Sequence, residues 1–175
     1  MPLNLTKTYP QLLELVHMNA AQRNNSLQGI FARDMVNNAD FKFREKQIRP
    51  TKIEGEAPMQ TLFKHLTSRE DKDEKGNKLG SRSFEMARSE RLHWIKHHIE
   101  EKRITNIDVF SFQDRIDRKD VIRTYIYDLE QEYIIILEPQ RSGTDYYLLT
   151  AYYLNEPGGK KQIENKRKKR LEEVY

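Results

Sequence analysis

The chain has 175 residues, with 31 Lys and Arg against 27 Asp and Glu, a net charge of +4, 37% hydrophobic and 33% charged residues. That balance suits one medium domain with long solvated segments, and it permits a polyanionic partner without requiring one. The lack of cysteine excludes disulfides, thiolate catalysis and Cys-ligated zinc. No leader-like or bilayer-length apolar run is present, so a cytoplasmic protein with no membrane partner is expected.

In chain order, the apolar spacing predicts a helix over Tyr9–Asn24, with Thr8 as its cap, and a second over Leu27–Asn38. Phe41–Ile48 alternates at first, as a short strand or an extended connector. Met59–Leu66 reads as a short helix. Ser68–Ser81 is polar and punctuated by glycine, which predicts a solvated linker or a mobile flap. Arg82–His98 then reads as one helix whose apolar stripe of Phe84, Leu92, Ile95 and Ile99 contains Arg88, with Arg91 and His98 at its edge. A guanidinium there must meet a carboxylate or an anionic ligand. Asp34 or Glu45 are candidate mates for Arg88 if its role is structural.

Beyond residue 106 the period falls from 3.6 to 2. Strands are predicted over Ile107–Phe112, Val121–Asp128, Tyr133–Glu138 and Asp145–Leu154, joined by short connectors that favour antiparallel pairing. The expected fold is therefore α+β, with N-terminal helices packed on a four-stranded antiparallel meander and a basic C-terminal tail. The expected divisions are residues 1–60 as a helical extension, 61–156 as the α+β domain and 157–175 as the tail.

Gly158-Gly159-Lys160 lacks the spacing of a phosphate loop, and no serine sits in a nucleophile elbow. His93 and His97 have chelating spacing but no fixed third ligand, so no metal and no cofactor are expected. Alternation along the strands puts Arg123 on a face with Tyr125, and Thr150 and Tyr152 on a face with Tyr146 and Leu148. Arg88, Arg91 and Arg123 converging between helix and sheet would form an anion pocket. Phosphodiester chemistry without a metal needs such a pocket: arginines to neutralise charge on phosphorus oxygens, and a histidine or tyrosine to move protons. Arg82, Tyr125, Lys166 and Arg167 are the expected RNA contacts, by phosphate pairing and base stacking.

The segments Leu62-Phe-Lys-His-Leu-Thr67, Arg82-x-Phe-Glu85, Arg88-Ser-x-Arg91-Leu-His-Trp-Ile95 and Tyr147-Leu-Leu-Thr-Ala-Tyr152 resemble the phage-associated branch of the barnase/EndoU/colicin/RelE-like nucleases, over about residues 62–154. The resemblance implies metal-independent endoribonuclease activity in a toxin or mobile-element protein, with the 2′-hydroxyl of RNA attacking phosphorus to leave a 2′,3′-cyclic phosphate. It also implies a helix histidine as base. Alignment of the motif favours His93 and the helical wheel favours His98. A proteinaceous inhibitor or immunity protein is a further partner to expect. The competing expectation is a non-catalytic RNA-binding or phage structural module on the same scaffold.

Overall fold

The computed structural model describes residues 3–175. Its helices are α1 (Ala20–Phe31), α2 (Pro58–Thr67), α3 (Met86–Ser89), α4 (Trp94–Ile99) and α5 (Gly159–Lys168). Its strands are β1 (Lys42–Phe43), β2 (Lys46–Pro50), β3 (Ser68–Lys72), β4 (Lys78–Phe84), β5 (Ile107–Ile116), β6 (Lys119–Asp128), β7 (Tyr133–Pro139) and β8 (Asp145–Tyr153).

The expected four-stranded antiparallel meander is corrected to an α+β architecture with a six-stranded mixed sheet, in the order β1-β2-β8-β7-β6-β5, and a separate two-stranded sheet, β3-β4. The mixed character comes from β2, which runs parallel to β8 with Gln47 opposite Asp145 and Pro50 opposite Leu148. Local period reports a segment's own alternation but not a partner some hundred residues away, so this pairing has no signature in the sequence. Between β5 and β6 the chain turns on Asp117 and Arg118, both at positive φ, which matches the twist of a two-residue hairpin.

The helical expectations shift as well. Residues 11–15 are irregular, and α1 begins only after Asn19, whose side chain and that of Gln22 form a reciprocal capping box. From there α1 runs through the break expected before Leu27. The single helix expected over Arg82–His98 is instead the end of β4, the one-turn α3, a turn and the short α4. Phe84 never joins the apolar stripe, because the hairpin pairs it with Ser68, and it is largely exposed under the Arg23 guanidinium. The polar stretch expected as a loop is the β3-β4 hairpin, closed at Asp73, whose carboxylate accepts the backbone N–H groups of Lys75 and Asn77.

Two apolar layers cover the sheet. The larger joins Leu27, Ile30 and Phe31 of α1, Leu62 and Leu66 of α2, and Trp94, Ile95 and Ile99 of α4 to Ile126, Ile135, Leu137 and Leu148. Phe43 and Ile48 lie in it too, so residues 42–50 complete the same sheet and core as the C-terminal strands. On the other face Ile163 of α5 seals Phe110, Tyr125, Tyr127, Ile134 and Ile136. The basic tail is thus a docked element. Beyond α5 the Leu171 N–H donates to the Ser111 carbonyl of the edge strand at 2.8 Å. Among the described residues no helix is long and apolar enough to cross a membrane.

Candidate functional site

A cleft of about 570 Å³ opens between the β3-β4 hairpin, α3, the end of β8 and the start of α5. A β-bulge creates its floor. The β7-β8 register slips between Ile136 and Leu137, so that Leu148 faces Leu137 while Thr150 faces Ile136. Strict alternation would put Thr150 and Tyr152 beside Tyr146 and Leu148 in the main core. The extra residue, Leu149, sends them to the α5 face instead, and Thr150 and Tyr152 line the cleft.

Arg88 enters this cleft from α3. Its Nη1 donates to the His65 carbonyl at 2.8 Å, the Ser68 carbonyl at 2.9 Å and the Thr150 hydroxyl at 3.3 Å. Its Cζ lies 5.3 Å from the Tyr152 ring centroid. The acidic mate is neither Asp34 nor Glu45 but Glu85, one turn earlier, with Nε 3.3 Å from Oε2. That pair is close but misaligned: both atoms are buried, and neither makes a hydrogen bond. Burial, opposed by Glu85, holds the guanidinium below the usual arginine range. Its Nη2 makes no hydrogen bond to the described residues, and it is the atom left for a ligand. Arg82, exposed at the rim, donates to Ser68 Oγ at 3.0 Å and to the Ser68 carbonyl at 2.8 Å, and it has no ion-pair partner among the described residues. Arg69 faces the same space but is paired with Glu156.

Two groups in the cleft went unassigned in the sequence. His65 is half-buried on α2. Burial first, then the Arg82 and Arg88 charges, hold its imidazole below the usual histidine value against the pull of Glu56 and Glu70. Glu85 is the other. Both lie in stretches that carry the family resemblance. The specific signals were the opposite charges at Glu85 and Arg88, three residues apart, and a histidine beside the Leu62/Leu66 stripe. Burial also raises the Tyr152 phenol, so it keeps its proton at neutral pH.

The remaining predicted residues lie elsewhere. The three arginines do not converge. Arg91 sits on the main-core side, stacked 4.2 Å from the Tyr153 ring centroid, bonded to the Ala87 carbonyl and paired with Glu90 at 2.9 Å. Arg123 faces the α5 layer, 3.9 Å from Glu138, and does not line the cleft. His98 is buried, with Nδ1 2.7 Å from the Trp94 carbonyl and Nε2 2.9 Å from Asp128, which also accepts the Tyr9 hydroxyl at 2.6 Å. This closed network leaves His98 no access to a substrate. Burial pushes Asp128 up, but the His98 and Tyr9 hydrogen bonds outweigh it and hold the carboxylate below its usual range. His93 is buried beside a second cleft that shares no lining residue with the first.

Of the expected RNA contacts, only Arg82 stands open. Tyr125 is fully buried and donates to Asp114, which also accepts Lys166 Nζ at 2.6 Å. Arg167 is held by Asp108 at 2.5 Å and Glu164 at 3.3 Å. These three side chains fasten α5 to the sheet. Among the described residues no cluster of three His, Asp or Glu is arranged to hold a metal.

Comparison of the chain with protein-family models, with curated proteins and with solved structures finds no match.

Proposed function

We propose that the Arg88 cleft cleaves RNA as a metal-independent endoribonuclease, consistent with the resemblance to the phage-associated barnase/EndoU/colicin/RelE-like nucleases. One observation carries the reading. Four sequence stretches that bear the resemblance, from α2, β4, α3 and β8, contribute His65, Arg82, Glu85, Arg88, Thr150 and Tyr152 to one cleft. The β3-β4 hairpin folds the first three stretches together, and α2 and α3 both pack on β8, which brings these polar side chains to one wall of the cleft.

In this reading the scissile phosphate lies against Arg88 Nη2 and Arg82. They neutralise charge developing on the non-bridging oxygens. Neutral His65 takes the 2′-hydroxyl proton as the 2′-oxygen bonds to phosphorus. The bond from phosphorus to the 5′-oxygen breaks, and that oxygen takes a proton from the Tyr152 phenol, leaving a 2′,3′-cyclic phosphate. Thr150 and Glu85 position Arg88, the first through Nη1 and the second beside Nε. DNA lacks the attacking hydroxyl and is not a substrate on this route.

The test is incubation of total RNA with the protein in EDTA, with the product termini identified. Cleavage with cyclic-phosphate ends is expected. Salt-sensitive binding without cleavage would favour the non-catalytic RNA-binding module instead.

A further inference from the structure

The second cleft, about 360 Å³, lies where Leu5–Tyr9 passes over α4. His93, 5% exposed, stands beside it with no hydrogen-bond partner for either ring nitrogen, and Nε2 of His97 is likewise buried and unpartnered. The Gln11 carbonyl nearest His93 already accepts Trp94 Nε1 at 3.0 Å and lies outside hydrogen-bond geometry for the imidazole. Buried polar atoms of native folds are nearly always satisfied, so three orphaned nitrogens at one cleft point to a missing ligand.

The surrounding charge says what kind. Lys7, Arg33, Lys96 and Lys102 line the cleft against Asp34 and Glu100, four cations to two anions. Asp34 is fully engaged by Arg33, through contacts of 2.6 and 3.1 Å. Glu100 is divided between Lys96 and Lys102, each 3.5 Å away. Lys7 is held from outside the cleft by Glu14 at 2.6 Å, which still leaves a positive excess.

We infer that this cleft is an oxyanion site that takes a phosphate group, with His93 at its base and Lys96 and Lys102 at its mouth. The chemistry fits in detail. Burial first, with Arg33, His97 and Lys7 nearby and against the pull of the Gln11 backbone, lowers the His93 pKa to about 4, so at neutral pH the ring carries one N–H and one lone pair. A singly protonated phosphate meets one edge of the ring, accepting the N–H on an oxygen or donating its P–OH to the lone pair, because the two nitrogens of an imidazole face away from each other. The group could belong to free phosphate or to an RNA terminus. The site stands independently of the nuclease reading, because it shares no residue with the Arg88 cleft.

The test follows the imidazole nitrogens of the whole protein by NMR near neutral pH, at constant ionic strength, while inorganic phosphate is added. His93 signals should move saturably, and its pKa should rise on binding. The double variant Lys96→Gln, Lys102→Gln alters only surface side chains and should weaken binding about tenfold, while Arg88→Lys leaves it unchanged. A 5′-phosphorylated 2′-O-methyl oligoribonucleotide, which lacks the attacking hydroxyl, binding more tightly than its 5′-hydroxyl counterpart and than free phosphate would identify an RNA terminus. Affinity equal to that of free phosphate would identify a small phosphate ligand. Unmoved His93 signals, binding indifferent to the two lysines, or saturation by zinc in place of phosphate would overturn the inference.

Discussion

At the scale of single residues, position relative to the bulge in β8 decides which groups can act. Thr150 and Tyr152 reach the cleft because Leu149 interrupts the alternation, and Arg88 is held there by the His65 and Ser68 carbonyls and the Thr150 hydroxyl. His65 is the residue whose chemistry is most exposed to test. Its pKa is held below the ordinary value of 6.5. In the proposed role of general base it is inactive when protonated, so the rate should rise with pH through a midpoint below 6.5 and then level off. His65→Gln should lower the rate by about a hundredfold or more and erase that acidic limb. An acidic limb that survives the substitution would assign the base elsewhere. Neither the wheel nor the motif alignment selects His65, because half-burial beside an apolar stripe looks the same in sequence as a solvated helix face.

Elements came through the sequence unevenly, and the reason is where each draws its stability. β5, β6 and β8 are covered only in part and are rich in β-branched and aromatic residues, so their period of 2 is plain in the sequence, while β7 is buried on both faces and reads as an apolar run. The β3-β4 hairpin is held by backbone pairing and the Asp73 turn, while β4 is exposed throughout and β3 only partly covered, so its sequence looked like a loop. The Arg82–His98 stripe fitted a period of 3.6 by coincidence, since Phe84 belongs to a strand. The dense charge of the tail fits a loosely docked helix or a disordered segment with Lys166 and Arg167 free for RNA, yet these two and Arg170 beyond α5 are paired with Asp114 and Asp108. Lys166→Met should therefore act on stability. Removing the cation from a buried pair leaves Asp114 uncompensated and should cost about 3 kcal/mol in urea denaturation, with RNA affinity unchanged. Weaker RNA binding at full stability would restore the tail's expected role.

For the molecule as a whole, the N-terminal residues share the sheet and the core of the C-terminal strands. Phe43 and Ile48 sit in the main core, β2 is the parallel neighbour of β8, and Leu27, Ile30 and Phe31 cover the same face. A fragment of residues 61–175 loses all of these contacts, bares the β8 edge that β2 covers, and leaves α4 and the rest of α2 as the helices still on that face. Each large buried side chain contributes about 1.5–3 kcal/mol, against a total stability of about 5–15 kcal/mol for a domain. The fragment should lack a cooperative unfolding transition and be cut rapidly by protease. A fragment that melts sharply would make the first sixty residues a separable extension. This dependence was hidden because strand partnership across a hundred residues is a property of the fold.

We place the proposed phosphate chemistry at Arg88, which lines the cleft, and not at a convergence of three arginines, since Arg91 and Arg123 lie elsewhere. The direct measurement is the cleavage rate of one defined RNA in EDTA by the wild-type protein, Arg88→Lys and Arg123→Lys, each confirmed folded. Lysine keeps the charge but not the guanidinium fork, so Arg88→Lys should be slowed about a hundredfold or more, and Arg123→Lys should remain within a few-fold of wild type. Equal losses in both variants, or a loss confined to Arg123→Lys, would contradict it.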